Sequence, residues 1–188
     1  VRFWDMGAQW GQVNTAPGQY DWTGLDKAVA TAEANGAEIL YVLGATPTWA
    51  AKNKKKYPDA LPYPGASTPP AKMKYWKSWV NAVTKRYGTR IAAYQVWNEP
   101  SIATFWRGSV TDMGKLTVAA SKIIRKNARG SKVVSASTTV RWSKGFRKFF
   151  PNYLSYLKKN KWPVDVVAAH MYPVSTGTPA TRIGYIKA

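Results

Sequence analysis

The chain has 188 residues, of which 45% are apolar, 14% aromatic and 20% charged, a balance that suits one globular domain and excludes a disordered segment. With no cysteine and one histidine, it has no disulfide framework or thiolate metal site, and most zinc and haem constellations are excluded. The formal charge of +19 points to partners rich in negative charge, either nucleic-acid phosphates or an acidic polysaccharide or cell wall.

A strand is predicted over residues 1–5. Val1 follows no charged-then-apolar leader, so a signal segment is expected to have been removed or to lie outside these residues. Leu25, Ala28, Val29 and Ala32 recur at helical spacing, and Asn35-Gly36 closes that helix. A second strand over 39–44 runs into a long proline-rich loop over 45–70 that carries a lysine run at 52–56. Trp76, Trp79, Val80, Val83 and Tyr87 give a second helix, stopped by Gly88. After a third strand over 92–98, Asp112 is placed to cap a helix bearing Leu116, Ala119, Ala120, Ile123 and Ile124, ending near Gly130. A fourth strand covers 132–137. Phe146, Phe149, Phe150, Tyr153, Leu154 and Leu157 give a fourth helix, which Pro151 must kink or begin. A fifth strand covers 164–170, and another helix is expected after Pro179.

These strands are apolar nearly throughout, as parallel strands covered on both faces are. Alternation with amphipathic helices implies an α/β fold with right-handed crossovers, occupying residues 1–188 as one domain. No apolar run reaches the ~18 residues of a membrane span. In such folds the loops after strands form the functional face, so the 45–70 loop is expected to wall a substrate site. Trp10, Trp49, Trp106 and Trp142 fall in such loops, where flat apolar rings can serve as platforms for sugar faces. The plain alternative is that they fill the core.

The segment Trp97-Asn98-Glu99-Pro100 closes the third strand. It sets a carboxylic acid beside an amide able to bond a hydroxyl, and glycosidic bonds break when a positioned acid protonates the leaving oxygen. Glu99 could instead be a helix cap or an ion-pair partner, His170 a core histidine, Arg2 a surface arginine and Trp97 simple packing. Asp5, Asp21 and Asp26 read as turn and cap residues. Arg141 and Trp142, after the fourth strand, are candidates for the cleft wall.

Taken together, Val-Arg2-Phe, Ala16-Pro-Gly18-Gln-Tyr20-Asp-Trp22, Thr46-Pro-Thr-Trp49, Trp97-Asn-Glu-Pro100 and His170-Met-Tyr172-Pro resemble a clan A glycoside hydrolase, of family 39 or family 5 type. The resemblance implies a partial TIM (β/α)₈ barrel with parallel strands and outer helices, holding strands two to six. It implies a secreted or cell-surface retaining glycosidase acting on a polysaccharide or oligosaccharide without metal or cofactor. Glu99 would be the general acid/base and Asn98 the ligand of the sugar 2-hydroxyl. Arg2, His170 and Tyr172 would surround the nucleophilic carboxylate. Family members carry that glutamate after the seventh strand, and neither Asp112 nor Asp165 fits its place. The rest of the barrel is therefore expected from a longer chain or a second polypeptide, and the 188 residues alone are expected to be inactive. Two rival readings remain: a carbohydrate-binding barrel without turnover, and a basic nucleic-acid-binding protein, for which no recognition motif is present.

Overall fold

A computed structural model of the chain describes residues 1–139 and 144–171. Strands β1 (Arg2–Phe3), β2 (Leu40–Val42), β3 (Ala93–Gln95) and β4 (Lys132–Val134) pair in that order, all parallel. β5 (Thr138–Thr139) pairs in parallel with β6 (Ala169–His170), and a bridge from Val134 to Val166 carries the sheet from β4 towards β6. Helices α2 (Thr23–Ala34), α3 (Met73–Tyr87), α4 (Val110–Asn127) and α5 (Lys144–Lys159) form the successive crossovers, and α1 (Trp10–Val13) is a single turn after β1. This is an open α/β arrangement of parallel strands and helices, part of a barrel that does not close among the described residues. The helix expected after Pro179 lies outside the described residues.

The predicted fourth strand divides into β4 and β5, because the ladder is interrupted at 135–137. Its backbone donors are nonetheless all satisfied. Ser135 N donates to Val166 O (2.9 Å), Ala136 N to the Tyr153 hydroxyl (3.2 Å) and Ser137 N to Trp97 O (3.0 Å). The Ser135 hydroxyl accepts from Ala168 N (3.0 Å), replacing a ladder acceptor. Buried polar groups must be bonded, and here side chains do what the regular ladder does not.

Two expectations about helix ends need correction. The N-cap of α4 is Ser109, whose hydroxyl accepts from Asp112 N (3.0 Å), while the Asp112 carboxylate reaches back to Ser109 N (3.0 Å). Asp112 is thus the third-position half of a capping box rather than the cap itself. Pro151 neither starts nor ends α5, which runs unbroken through it; the apolar face of Phe149, Tyr153 and Leu157 is buried and offsets the lost backbone bond.

The core is rich in indoles. Trp10, Trp76, Trp79 and Trp97 are fully buried, each worth roughly 2–3 kcal/mol of transfer free energy. Their N–H groups are not wasted: Trp76 donates to Leu116 O and Trp79 to Leu43 O, both at 2.9 Å, fixing α3 to α4 and to the end of β2. Between α2 and α3, Asp26 pairs with Arg86 and accepts from the Tyr87 hydroxyl at 2.8 Å; the expected cap role belongs to Asp21, which accepts from Thr23 N at 3.0 Å.

Among the described residues, apolar side chains at both ends of the strand array are exposed. Val1 and Met6 stand beside β1, while Val166, Val167 and Met171 stand beside β6, each 40% or more exposed. Among the described residues, Val166 and Val167 are exposed, unlike the two-sided burial that the apolar sequence of 164–170 predicts.

Two substitutions test these contacts. A Cβ at Gly44 would lie 2.9 Å from Cδ2 of Trp97, so Gly44→Ala should cost about 1–3 kcal/mol in urea unfolding. Asp165 is exposed to the upward push of partial burial, yet the bonds from Val133 N and Arg125, both 2.8 Å, hold its carboxyl below the ordinary 3.8. A depressed carboxyl stabilises above its unfolded value and ceases to as pH falls through the folded one. Asp165→Asn should therefore shrink the stability difference between about pH 6 and about pH 3, measured by urea midpoint.

Candidate active site

In a parallel sheet all strand carboxyl ends share one rim, and of the groups singled out by the sequence Arg2, Asn98, Glu99 and His170 meet there. The β3 strand ends in Gln95, and the chain continues through Val96 and Trp97 to Asn98 and Glu99. Glu99 takes φ +42°, a left-handed conformation unusual for a side-chain-bearing residue. Its backbone N–H is satisfied by the Ser137 hydroxyl at 3.1 Å. With the backbone so turned, the carboxylate lies 7% exposed, and its Oε1 is 2.7 Å from Nδ1 of His170 at the end of β6.

Asn98, 4% exposed, presents its side-chain oxygen to Nη2 of Arg2 at 2.7 Å. A guanidinium carries donors only, so the atom facing it must be oxygen. The Asn98 amide nitrogen is left as a donor with no bonded partner among the described residues. Arg2 also donates through Nε to Gln95 Oε1 at 3.2 Å. The Gln95 Nε2 is buried and unpartnered among the described residues. Ser101 and Thr138 place their hydroxyls 3.4 Å apart nearby in the fold. Trp4, just past β1, meets Phe105 edge-to-face at 6.4 Å.

Several expectations take a different form. His170, expected in the surroundings of a nucleophile, has its Nδ1 2.7 Å from Oε1 of Glu99. Arg2, expected beside an anion, has the side-chain amides of Gln95 and Asn98 among its partners. Trp10 is not a sugar platform: it is fully buried, its ring parallel to Trp79 at 6.2 Å and its N–H on Asn14 Oδ1 at 3.0 Å. Trp106 is likewise 4% exposed, packed edge-on against Trp97 at 4.9 Å. Trp49 is half-buried, held by Asn14 O at 2.9 Å and by the edge of Tyr75. Tyr172, Arg141 and Trp142 lie outside the described residues.

The sequence reading missed Ser137, Gln95 and Trp4. A signal existed for the first: Ser135, Ser137, Thr138 and Thr139 crowd hydroxyls onto the carboxyl end of an otherwise apolar strand, and all four are buried. The 45–70 loop is tied to itself and to its neighbours by hydrogen bonds. Tyr63 donates to Ala45 O and accepts from Gly11 N, both at 2.7 Å, and Arg107 N donates to Ser67 O at 2.7 Å. Among the described residues no three His, Cys, Asp or Glu side chains group as metal ligands, and no helix is long and apolar enough to cross a membrane.

No protein-family model matches the chain, and no curated protein matches it. Solved structures do. The GH10 xylanase from Bispora sp. MEY-1, solved with xylobiose, superposes with a TM-score of 0.71 at 12% identity, over 99% of this chain and 57% of the xylanase. Xylanase XynB from Paenibacillus barcinonensis, complexed with a conduramine derivative, gives 0.70 at 16% identity, over 97% and 56%. A family 39 glycoside hydrolase from Bacteroides cellulosilyticus WH2 gives 0.65 at 18%, over 95% and 33%. The chain thus has the fold of part of a TIM-barrel glycosidase, spanning between a third and three-fifths of these relatives' lengths.

Ser137→Ala would leave the Glu99 N–H buried without its acceptor. It should cost about 1–3 kcal/mol of stability, read from thermal or urea unfolding.

Proposed function

We propose that the protein is a retaining glycoside hydrolase in which Glu99 is the general acid/base. The observation that carries this reading is the buried Glu99 carboxylate at the rim, 2.7 Å from His170 and next to Asn98, whose amide donor is oriented by Arg2. In the first step Glu99 gives its proton to the glycosidic oxygen as that bond breaks. In the second it takes a proton from the water that attacks the glycosyl-enzyme. His170 Nδ1 fixes the carboxyl rotamer and offers a bond whose direction depends on its tautomer. The free N–H group of Asn98 is a donor for a substrate hydroxyl next to the reacting carbon. An acidic or neutral polysaccharide is too large to enter a cell, which is consistent with a secreted or cell-surface protein.

A retaining mechanism needs a second carboxylate roughly 5 Å from the acid. All nine acidic residues are described. Asp21, Asp26, Glu33, Asp112 and Asp165 are committed to backbone caps or to arginine partners, and Asp5, Glu38 and Asp59 are exposed. We assign the nucleophile to polypeptide beyond these residues that completes the barrel. The same observation favours a second reading, a barrel that binds carbohydrate without turnover.

The test is hydrolysis of xylan and other β-linked polysaccharides by the protein carrying its full barrel. Glu99→Gln should lower kcat by about 10²–10⁴-fold, with the anomeric configuration of the parent's product retained by NMR. An undiminished rate in the variant sinks the assignment. Xylan binding by the parent with no new reducing ends establishes the binder.

A further inference from the structure

The positive charge is not spread evenly over the fold. Helices α3 and α5 contain no acidic residue, and α4 contains only Asp112, which is engaged in its own cap. By contrast α2, on the other side, carries Asp26 and Glu33 against one lysine. Two solvent-open grooves of about 340 Å³ each run along the flanks of α4. The one against α3 is lined by Lys77, Lys115 and Lys122; the one against α5 by Lys148 and Lys159, with Asn152 and Ser155. All five lysines are exposed, and none forms an ion pair among the described residues.

Tyr156 lines both grooves. It can lie between them because α4 has a glycine where it crosses: a Cβ at Gly114 would fall 2.2 Å from Tyr156 Cδ1. The result is a half-buried aromatic ring flanked on both sides by ammonium groups and side-chain hydrogen-bonding groups. Lys115 and Lys122 are seven residues apart on one helix, roughly 10 Å along its axis, a spacing that addresses charges repeated along an extended chain rather than one small anion.

We propose that this α3–α4–α5 face binds an acidic polysaccharide, with Tyr156 stacking on a sugar ring and the five lysines pairing with carboxylates or sulfates along the polymer. Choosing a polysaccharide over a nucleic acid rests on the glycosidase reading above. The face lies on the helical exterior, outside the Glu99 rim, so it would hold the polymer while the rim cuts it. Charge attraction to a repeated polyanion is strong at low salt and screened as salt rises.

The experiment measures binding to polygalacturonate, to neutral xylan and to duplex DNA at low and physiological salt, in the Glu99→Gln background so that turnover plays no part. The groove variant is Lys77→Gln/Lys115→Gln/Lys122→Gln/Lys159→Gln. The control, Lys52→Gln/Lys54→Gln/Lys55→Gln/Lys56→Gln, removes the same charge from the 45–70 loop. Thermal melts confirm that both stay folded. The proposal expects the groove variant to lose polygalacturonate affinity by about tenfold or more and the loop variant to change little, with neutral xylan indifferent to both. Equal losses in the two variants, or no loss in the groove variant, overturn it. Duplex DNA bound more tightly than polygalacturonate, with the same dependence on the groove lysines, overturns the polysaccharide assignment in favour of a nucleic acid. Because no readout involves hydrolysis, failure here is distinct from failure of the Glu99 assignment.

Discussion

Parallel pairing constrains everything else in this molecule. A strand that runs beside its predecessor in the same direction must return through a crossover, and here each crossover is a helix on the outside of the sheet. All strand carboxyl ends therefore collect at one rim, and the crossover helices α2–α5 line the outer face of the sheet. Glu99 and His170 are 71 residues apart in sequence, yet they meet because β3 and β6 end at the same level. The lysine-rich grooves arise from the same constraint, since they are the seams between consecutive crossover helices.

The rim is held by polar side chains that replace regular backbone pairing. Ser137 satisfies Glu99 N, Ser135 takes the bond of Ala168 N, and the Tyr153 hydroxyl takes that of Ala136 N. Where the β4–β5 ladder lapses, these hydroxyls leave almost nothing orphaned, with Gln95 Nε2 an exception. Glu99 tolerates a positive φ because its N–H, its carboxylate and the flanking Trp97 are each fixed by separate partners. An over-determined residue of this kind costs stability and gains a defined orientation.

Charge is sorted by face. Among the described residues the rim brings together the buried Glu99 carboxylate, His170 and Arg2. Helices α3, α4 and α5 carry lysines with only Asp112 among them as an acid, whereas α2 carries Asp26 and Glu33. A polymer with negative groups would be attracted to the α3–α4–α5 face rather than to the rim.

The sequence by itself determined the order of strands and helices, the helix stops, the alignment of apolar faces and the prominence of Glu99, because each is written in local periodicity or in a contiguous motif. Its apolar strands also implied a parallel sheet. It could not show that Trp10 and Trp106 belong to the core, since an indole in a loop reads the same whether the loop folds inward or outward. Nor could it show that Ser109 caps α4, that Pro151 sits within α5, or that His170 comes within bonding reach of Glu99. Those outcomes depend on distances between segments far apart in sequence. Tertiary packing alone decides which hydroxyl, amide or ring arrives within bonding reach.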